Sequence, residues 1–570
     1  MKTRLWLIAS LLITEMVFSA ESILRYKERI HPEIGKEFMV VTQNFHATEV
    51  GYEILKKGGN AVDASTAIGF ALAVTLPRAG NLGGGGFMLI FDKKKGEISS
   101  IDYRSAAPEK AKPDDLLDEK GKTIKYGHRV TAIPGAVAGL LKAHSEKGSL
   151  SLQEVLAPAI RLAREGIEVT YDLNQAIKFG KTSLLLDEAS QKKYFDENQQ
   201  ALKVNTIFKQ PNLAKTLELI SKGGAKEFYE GEIADWIVDS SMKNGGFISK
   251  SDLAAYQAKE RKPLMINYRG STIVSMPPAS SGGLVMLQTL NILERFPISK
   301  LGHNSALSLH LLAESMKLAW ADRDRYHGDP DFVKVPTKEL LSKDYAKKRA
   351  KLINKKRAND YQSLNHGRFK NFDESPDTTH YSVIDADGNA VSNTYTLGSS
   401  FGSGVTVDKG GFLLNNQMRN FSAREEAKAN KLESGKRMIS TQTPALVFNK
   451  EGDLNMVLGS PGGGRIPNIV AQVISNVLDH KLGYSEALIA PRINQRYAKE
   501  LELETGFSRD TTNILKRMGH SIKDSNLAMG SVQAIFIEGE NLYGVPDTRR
   551  PGASALSLSL IHISEPTRPE

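Results

Sequence analysis

The chain has 570 residues, 40% hydrophobic and 25% charged, with 48 Gly, 22 Pro and no Cys, a globular composition that excludes a disordered, collagen-like or coiled-coil chain. Without Cys there is no disulfide framework, thiolate zinc site, iron–sulfur cluster or Cys nucleophile, so any nucleophile must be oxygen or nitrogen. Lys and Arg (75) exceed Asp and Glu (65) by 10, a modest excess over this length and no argument for a nucleic-acid or other polyanion partner.

Lys2 and Arg4 precede an apolar run from Leu5 to Phe18, and Ser19-Ala20 supply small residues before Glu21. This tripartite pattern predicts a secretory signal peptide over residues 1–20. Thr14 and Glu15 interrupt the run, leaving it short of the roughly 20 apolar residues that a membrane span requires. The expected product is an exported protein, periplasmic or secreted, with no membrane partner.

Phe38 to Thr42 reads as a strand, and His46 to Lys57 as an amphipathic helix stopped by Gly58-Gly59. Ala61 to Val74 is apolar on nearly every face, which predicts a helix sandwiched between layers. Gly80-Asn81-Leu82-Gly83-Gly84-Gly85-Gly86 leads into a hairpin, Phe87 to Phe91 and Ile98 to Tyr103, that delivers Arg104 to a strand end. Helical signals dominate from about 149 to 350, as in Leu152 to Glu165 and Ala306 to Tyr326, and are assigned to outer layers. Ala346 to Arg357 reads as a basic helix end with a solvated face, and Ala358 to Asp377 as an exposed linker. Beyond it, Asp387-Gly388, Glu451-Gly452 and Glu538-Gly539 mark three hairpins, with one helical segment from Ile469 to Asp479. Helix layers outside two stacked antiparallel sheets are therefore expected. The tail from about residue 557 has neither periodicity and resembles translated adapter sequence.

Several catalytic templates fail. There is no H-E-x-x-H, calcium loop or phosphate-gripping Gly-rich loop, and Gly459 to Arg465 lacks the Lys and Ser/Thr that such a loop needs. Gly398-Ser399-Ser400-Phe401-Gly402 matches the nucleophile-elbow pattern, but loop and strand follow it where the elbow needs a helix. The informative segment is Asp377-Thr378-Thr379-His380-Tyr381. A Thr hydroxyl needs an adjacent base, and an N-terminal Thr can use its own α-amine. A Thr inside a chain acquires that amine only when the bond before it is cut. On spacing alone, an ordinary strand start is the better reading of this segment.

That segment, together with Asn60-Ala61-Val62-Asp63-Ala64, the Gly80 to Phe87 run, Pro277 to Gly283, Ala321-Asp322-Arg323, Gly328-Asp329-Pro330 and Gly459-Ser460-Pro461-Gly462-Gly463, resembles the γ-glutamyltranspeptidase family, from about residue 36 to about 555. The resemblance implies a four-layer αββα sandwich of the N-terminal nucleophile hydrolase type. It implies a proenzyme that cuts itself between Asp377 and Thr378 into a large subunit (21–377) and a small catalytic subunit (378–570). Thr378 would be the nucleophile, Thr396 its orienting partner, and the N–H groups of Gly462 and Gly463 the oxyanion hole. Arg104, with Ser440 and Thr441, would hold the substrate α-carboxylate, and Gln417 and Asn420 would lie at the amine. Glutathione or another γ-glutamyl small molecule would be the donor, and water, an amino acid or a peptide the acceptor. No metal or organic cofactor is implied.

The sequence departs from the family at the amine subsite. Gly398 stands where familiar members have Asn, and Asn420 where they have Asp, while Gln417 is kept. Losing the carboxylate removes a charge-assisted hydrogen bond worth about 1.5–3 kcal/mol. A glutaryl-type amide acylase of the same family is therefore the alternative expectation, and the segment from Ser422 to Gly435, short and charged, suggests a more open site. An alternative of another class is a non-catalytic binding protein on a decayed enzyme scaffold, against which Thr378, Thr396, Gly462 and Gly463 all argue.

Overall fold

The computed structural model describes residues 30–364, 377–422, 428–525 and 527–558. The signal-peptide reading, the part of the linker at 365–376 and the tail at 559–570 lie outside the described residues. Two seven-stranded antiparallel sheets form the centre. One runs in the order Ser554–Ser557, Met39–Thr42, Thr379–Ile384, Ala390–Thr396, Gly85–Asp92, Glu97–Tyr103, Lys259–Arg261. The other runs Glu33–Gly35, Asn541–Pro546, Gln533–Glu538, Leu454–Gly459, Ala445–Phe448, Ser271–Ser275, Leu264–Tyr268.

The two-residue period of the strands builds the layers. In Gly85–Asp92, Phe87, Leu89 and Phe91 join Met39, Val41, Val274, Leu446, Val457 and Ile535 in the core between the sheets. Met88 and Ile90, from the same strand, face the other way into the helical core. Such strands are buried on both faces and read as unbroken apolar runs rather than alternating ones. Outside the first sheet lies the helix Ala61–Thr75, every residue of which is buried, with Phe45–Lys56, Ala136–Lys147 and Leu152–Glu165 around it. Asn60 and Asp63 close its start as a capping box. Outside the second sheet, Ser281–Leu293 and Ile466–Leu478 pack on Ile273, Val447, Met456 and Phe536, and Ala306–Tyr326 packs beyond them. The αββα order is therefore the expected one.

Four expectations need correction. The stretch 149–350 is not all outer helix, because Leu264–Tyr268 and Ser271–Ser275 form an edge hairpin of the second sheet. Its turn residues Arg269 and Gly270 both have positive φ (54° and 88°), and Arg-Gly is a weaker turn signal than Asn-Gly or Asp-Gly. More than one helix separates the second and third hairpins: Tyr484–Ile489 and Arg509–Arg517 also occur, beside a three-stranded sheet of Ile493–Asn494, Glu500–Leu503 and Ser521–Asp524. The basic helix Lys343–Ala350 stops at Ala350, seven residues short of Arg357. The linker start is packed rather than free, with Lys317 Nζ donating to the Asn359 carbonyl at 2.9 Å and Tyr361 edge-on to Tyr497.

Candidate active site

The central hairpin pairs Thr379 with Tyr395, which places Thr378 and Thr396 opposite each other at its open end. Thr378 is 3% exposed. Thr396 Oγ1 donates to the carbonyl oxygen of Asp377 at 2.9 Å and accepts from the Gly398 N–H at 2.9 Å. The Thr396 hydroxyl proton is thereby aimed at the carbonyl of the bond preceding Thr378.

The direction of Thr378 follows from His380, two residues on and so on the same face of the strand. The imidazole of His380 fills the space above Gly459, where a Cβ would meet it at 2.4 Å. It hydrogen-bonds Thr394 Oγ1 at 2.7 Å and Ser382 Oγ at 3.1 Å, and burial pushes its pKa down to about 3, so it is a neutral spacer. Gly459 ends a strand of the second sheet, and the chain then turns through Gly462 (φ 141°) and Gly463 (φ 55°) into the helix Ile466–Leu478. Both φ values lie where a side chain is strained. Backbone N–H groups at a helix start have no intrahelical partner and favour negative charge. Thr441 Oγ1 donates to the Gly463 carbonyl at 2.9 Å, which fixes the turn.

Arg104 follows the strand Glu97–Tyr103 and is 1% exposed. Its own N–H donates to Asp102 Oδ1 at 3.0 Å, and Tyr256 Oη donates to its carbonyl at 2.9 Å. Asp102 is itself gripped by Arg261 at 3.0 Å and Arg437 at 2.8 Å. Arg104 is thus mounted on a buried ionic frame rather than in the surface ion pair that such a residue often makes.

Of the residues singled out in the sequence, Arg104, Thr378, Thr396, Gly398, Asn420, Ser440, Thr441 and Gly463 line one cleft of about 340 Å³. Gln417 lies behind it, fully buried, with Nε2 donating to the Thr396 carbonyl at 2.6 Å and Oε1 without a donor among the described residues. Gly462 precedes Gly463 in the turn without lining the cleft. Gly398, at φ 104°, is more than a deleted contact, because a Cβ there would meet Asn416 Oδ1 at 2.3 Å. Ser400 lies in a loop, and it is Ser399 that reaches the cleft, with Arg419 and Gln442. These three are not among the candidate site residues named above, although Ser399 lies in the elbow-like run and Arg419 directly precedes Asn420. Residues 423–427, part of the segment expected to leave the site open, lie outside the described residues.

Asp377 carries a second tether, since Arg550 Nη2 lies 3.6 Å from its carboxylate. Elsewhere His310, Glu314 and His520 place ligand-type atoms within 4.8 Å of one another. The ammonium of Lys317, 2.6 Å from Glu314 Oε1, opposes a cation there, and none of the three lines the cleft.

A family model described as gamma-glutamyltranspeptidase matches residues 47–557. The chain belongs to the γ-glutamyltranspeptidase family. It is 44% identical over 535 residues to a glutathione hydrolase proenzyme of Escherichia coli K12, covering 91% of each chain. It is 37% identical over 514 residues to an acylase ACY 1 proenzyme of Pseudomonas sp. strain V22, covering 88% of this chain and 90% of that one. Among solved structures, a cephalosporin acylase from Bacillus halodurans superposes with a TM-score of 0.83 at 30% identity, covering 94% of this family member and 98% of that chain. The four layers are those of the N-terminal nucleophile hydrolases.

Proposed function

We propose that this family member is an exported, self-cleaving γ-glutamyl hydrolase and transferase acting on glutathione or similar γ-glutamyl compounds. The observation that carries the reading is the Thr396 hydroxyl bonded to the Asp377 carbonyl, beside Thr378 and the Gly462-Gly463 turn. Thr378 Oγ attacks the Asp377 carbonyl carbon, the C–N bond breaks, and the nitrogen leaves as the α-amine of Thr378. Water then hydrolyses the resulting ester and frees residues 21–377 from 378–570. The new α-amine takes the proton of Thr378 Oγ as that oxygen attacks the γ-carbonyl of the donor, and the Gly462 and Gly463 N–H groups receive the oxyanion. The amine leaves with the proton, and water or an acceptor amine resolves the acyl-enzyme.

Arg104, with Ser440 and Thr441, binds the donor α-carboxylate. Arg104→Gln is expected to lower kcat/KM for γ-glutamyl-4-nitroanilide about 10- to 100-fold, the equivalent of about 1.5–3 kcal/mol for hydrogen bonds to a charged group. Gln417 Oε1 and Asn420 are the amine-side groups. Arg550 holds Asp377 for cleavage only, so Arg550→Met is expected to slow fragment formation on a gel time course while the cleaved fraction keeps its turnover per Thr378 active site.

A second reading, a glutaryl-type acylase, is favoured by the lining of the cleft, in which no Asp or Glu occurs among the described residues. Steady-state kinetics with γ-glutamyl-4-nitroanilide and its des-amino analogue glutaryl-4-nitroanilide test it. Preference for the γ-glutamyl compound is expected, and parity or reversal would replace the first reading by the second.

A further inference from the structure

Gln442 lines the same cleft as Ser440 and Thr441 and has no role in the reading above. It is 2% exposed, and neither its Oε1 nor its Nε2 has a hydrogen-bond partner among the described residues. A primary amide offers two donor hydrogens and one acceptor oxygen, and leaving both ends unmade in a buried place is a cost that folded chains ordinarily avoid. An apolar side chain of the same length would carry no such cost.

The backbone around Gln442 is pinned. Its N–H donates to Ser440 Oγ at 3.2 Å, and Ser280 Oγ donates to its carbonyl at 2.5 Å. The Ser440 N–H donates to the Ala279 carbonyl at 3.2 Å, and the Ser281 N–H to the Ser440 carbonyl at 2.7 Å. Thr441 Oγ1 donates to the Gly463 carbonyl. Gln442 is therefore held next to Thr441 and against the hydroxyl of Ser440, the two residues that share the donor α-carboxylate with Arg104 in the reading above. Its side-chain amide, unlike its backbone, is tied to nothing, and the terminal torsion of Gln is soft, so either edge can turn to a ligand.

We propose that Gln442 is a specificity-determining residue for the α-amino-acid head of the donor, its Nε2 donating to the α-carboxylate and its Oε1 accepting from the α-ammonium. This rests on the γ-glutamyl reading, which puts that carboxylate at Ser440. The head carries an acceptor and a donor on one carbon, and a primary amide carries a donor edge and an acceptor edge, so one side chain matches the pair. No Asp or Glu lines the cleft among the described residues. The ammonium is then met by neutral oxygens, and Gln442 Oε1 adds one to those of Gln417 and Asn420. A ligand with the carboxylate but no amine satisfies Nε2 alone and strands Oε1, a penalty that falls on glutaryl compounds and not on γ-glutamyl ones.

The test takes cleaved protein and the ratio of kcat/KM for γ-glutamyl-4-nitroanilide to that for glutaryl-4-nitroanilide, two donors that differ only in the amine. Gln442→Met, close in shape but without the amide, is expected to lower this ratio about tenfold, as the loss of one hydrogen bond to a charged group does, through KM rather than kcat. Gln442→Glu is expected to raise it, because the carboxylate attracts the ammonium of one donor and repels the carboxylate of both. A merely structural role would move both donors together and leave the ratio alone. A Gln442→Met ratio within twofold of the wild type overturns the assignment, and so does a Gln442→Glu ratio that fails to rise. A crystal structure of the cleaved wild-type protein with L-glutamate needs no variant. The Gln442 amide within hydrogen-bond distance of both the amine and the α-carboxylate is expected, and an amide bonded only to water or protein overturns the assignment. A wild-type ratio at or below one would overturn the γ-glutamyl reading and this assignment with it, whereas a high ratio untouched by Gln442→Met removes the assignment and leaves that reading standing.

Discussion

Thr378→Ala is expected to give a single uncleaved chain with no measurable γ-glutamyl hydrolysis, where the wild type gives two fragments, the smaller beginning Thr-Thr-His-Tyr. One oxygen serves both reactions, so both are lost together. Removing a nucleophile costs at least about ten-thousandfold in turnover. Thr378→Ser keeps a hydroxyl at the same place and is expected to cleave and turn over more slowly. Intact mass, N-terminal sequencing and anilide hydrolysis on the same samples are the readout. The fold should survive Thr378→Ala, because the hairpin is closed by six residue pairs from Thr379–Tyr395 to Ile384–Ala390, none of which includes Thr378. A folded wild-type chain that stays whole would instead favour the decayed-scaffold alternative.

The parts of this site legible in the sequence were those fixed by local chemistry. Gly462 and Gly463 announce a turn with positive φ, and a strand start after Thr378 is legible, whereas the burial of all six residues of that strand, Thr379, His380 and Ser382 included, is not. Arg104 could be placed at a strand end but not in its environment, because Asp102, Arg261, Arg437 and Tyr256 come together only through tertiary contacts across more than 300 residues. Ser399 was passed over for the same reason. The GxSxG pattern points to its neighbour Ser400, whereas the residue in the cleft is selected by the positive φ of Gly398 and by Asn416, neither of which a motif encodes. The edge hairpin at 264–275 was hidden because a five-residue strand within a helical stretch gives few repeats of its period.

Asp547→Ala is expected to carry a large stability cost. Arg492 is 2% exposed and donates to Asp547 Oδ2 at 2.6 Å, while its other nitrogen donates to the Met529 carbonyl at 2.6 Å. Asp547 also accepts from the Val532 N–H at 3.0 Å and the Arg549 N–H at 3.0 Å, and Arg549 continues to Glu504 at 2.7 Å. Removing the carboxylate leaves a buried guanidinium uncompensated, at about 3–5 kcal/mol, or about 3–5 °C in Tm for a chain this long. Replacing Arg492 and Asp547 together by Met and Leu should cost far less, since neither charge is then stranded. Burial opposes ionisation of Asp547, but Arg492, Arg549 and the two N–H groups outweigh it and hold its pKa below the ordinary carboxylate value. Its contribution is therefore fully present above about pH 4, the usual Asp range, and is lost as pH falls through the lower folded value. Thermal melts at pH 7 and at progressively lower pH should show the wild type approaching Asp547→Ala only on the acid side. The same segment carries Arg550, the tether of Asp377. Loosening it at Asp547 should thus slow self-cleavage as well as lower Tm, whereas Arg550→Met slows cleavage with a smaller change in Tm, and that divergence separates the tether from the frame that supports it.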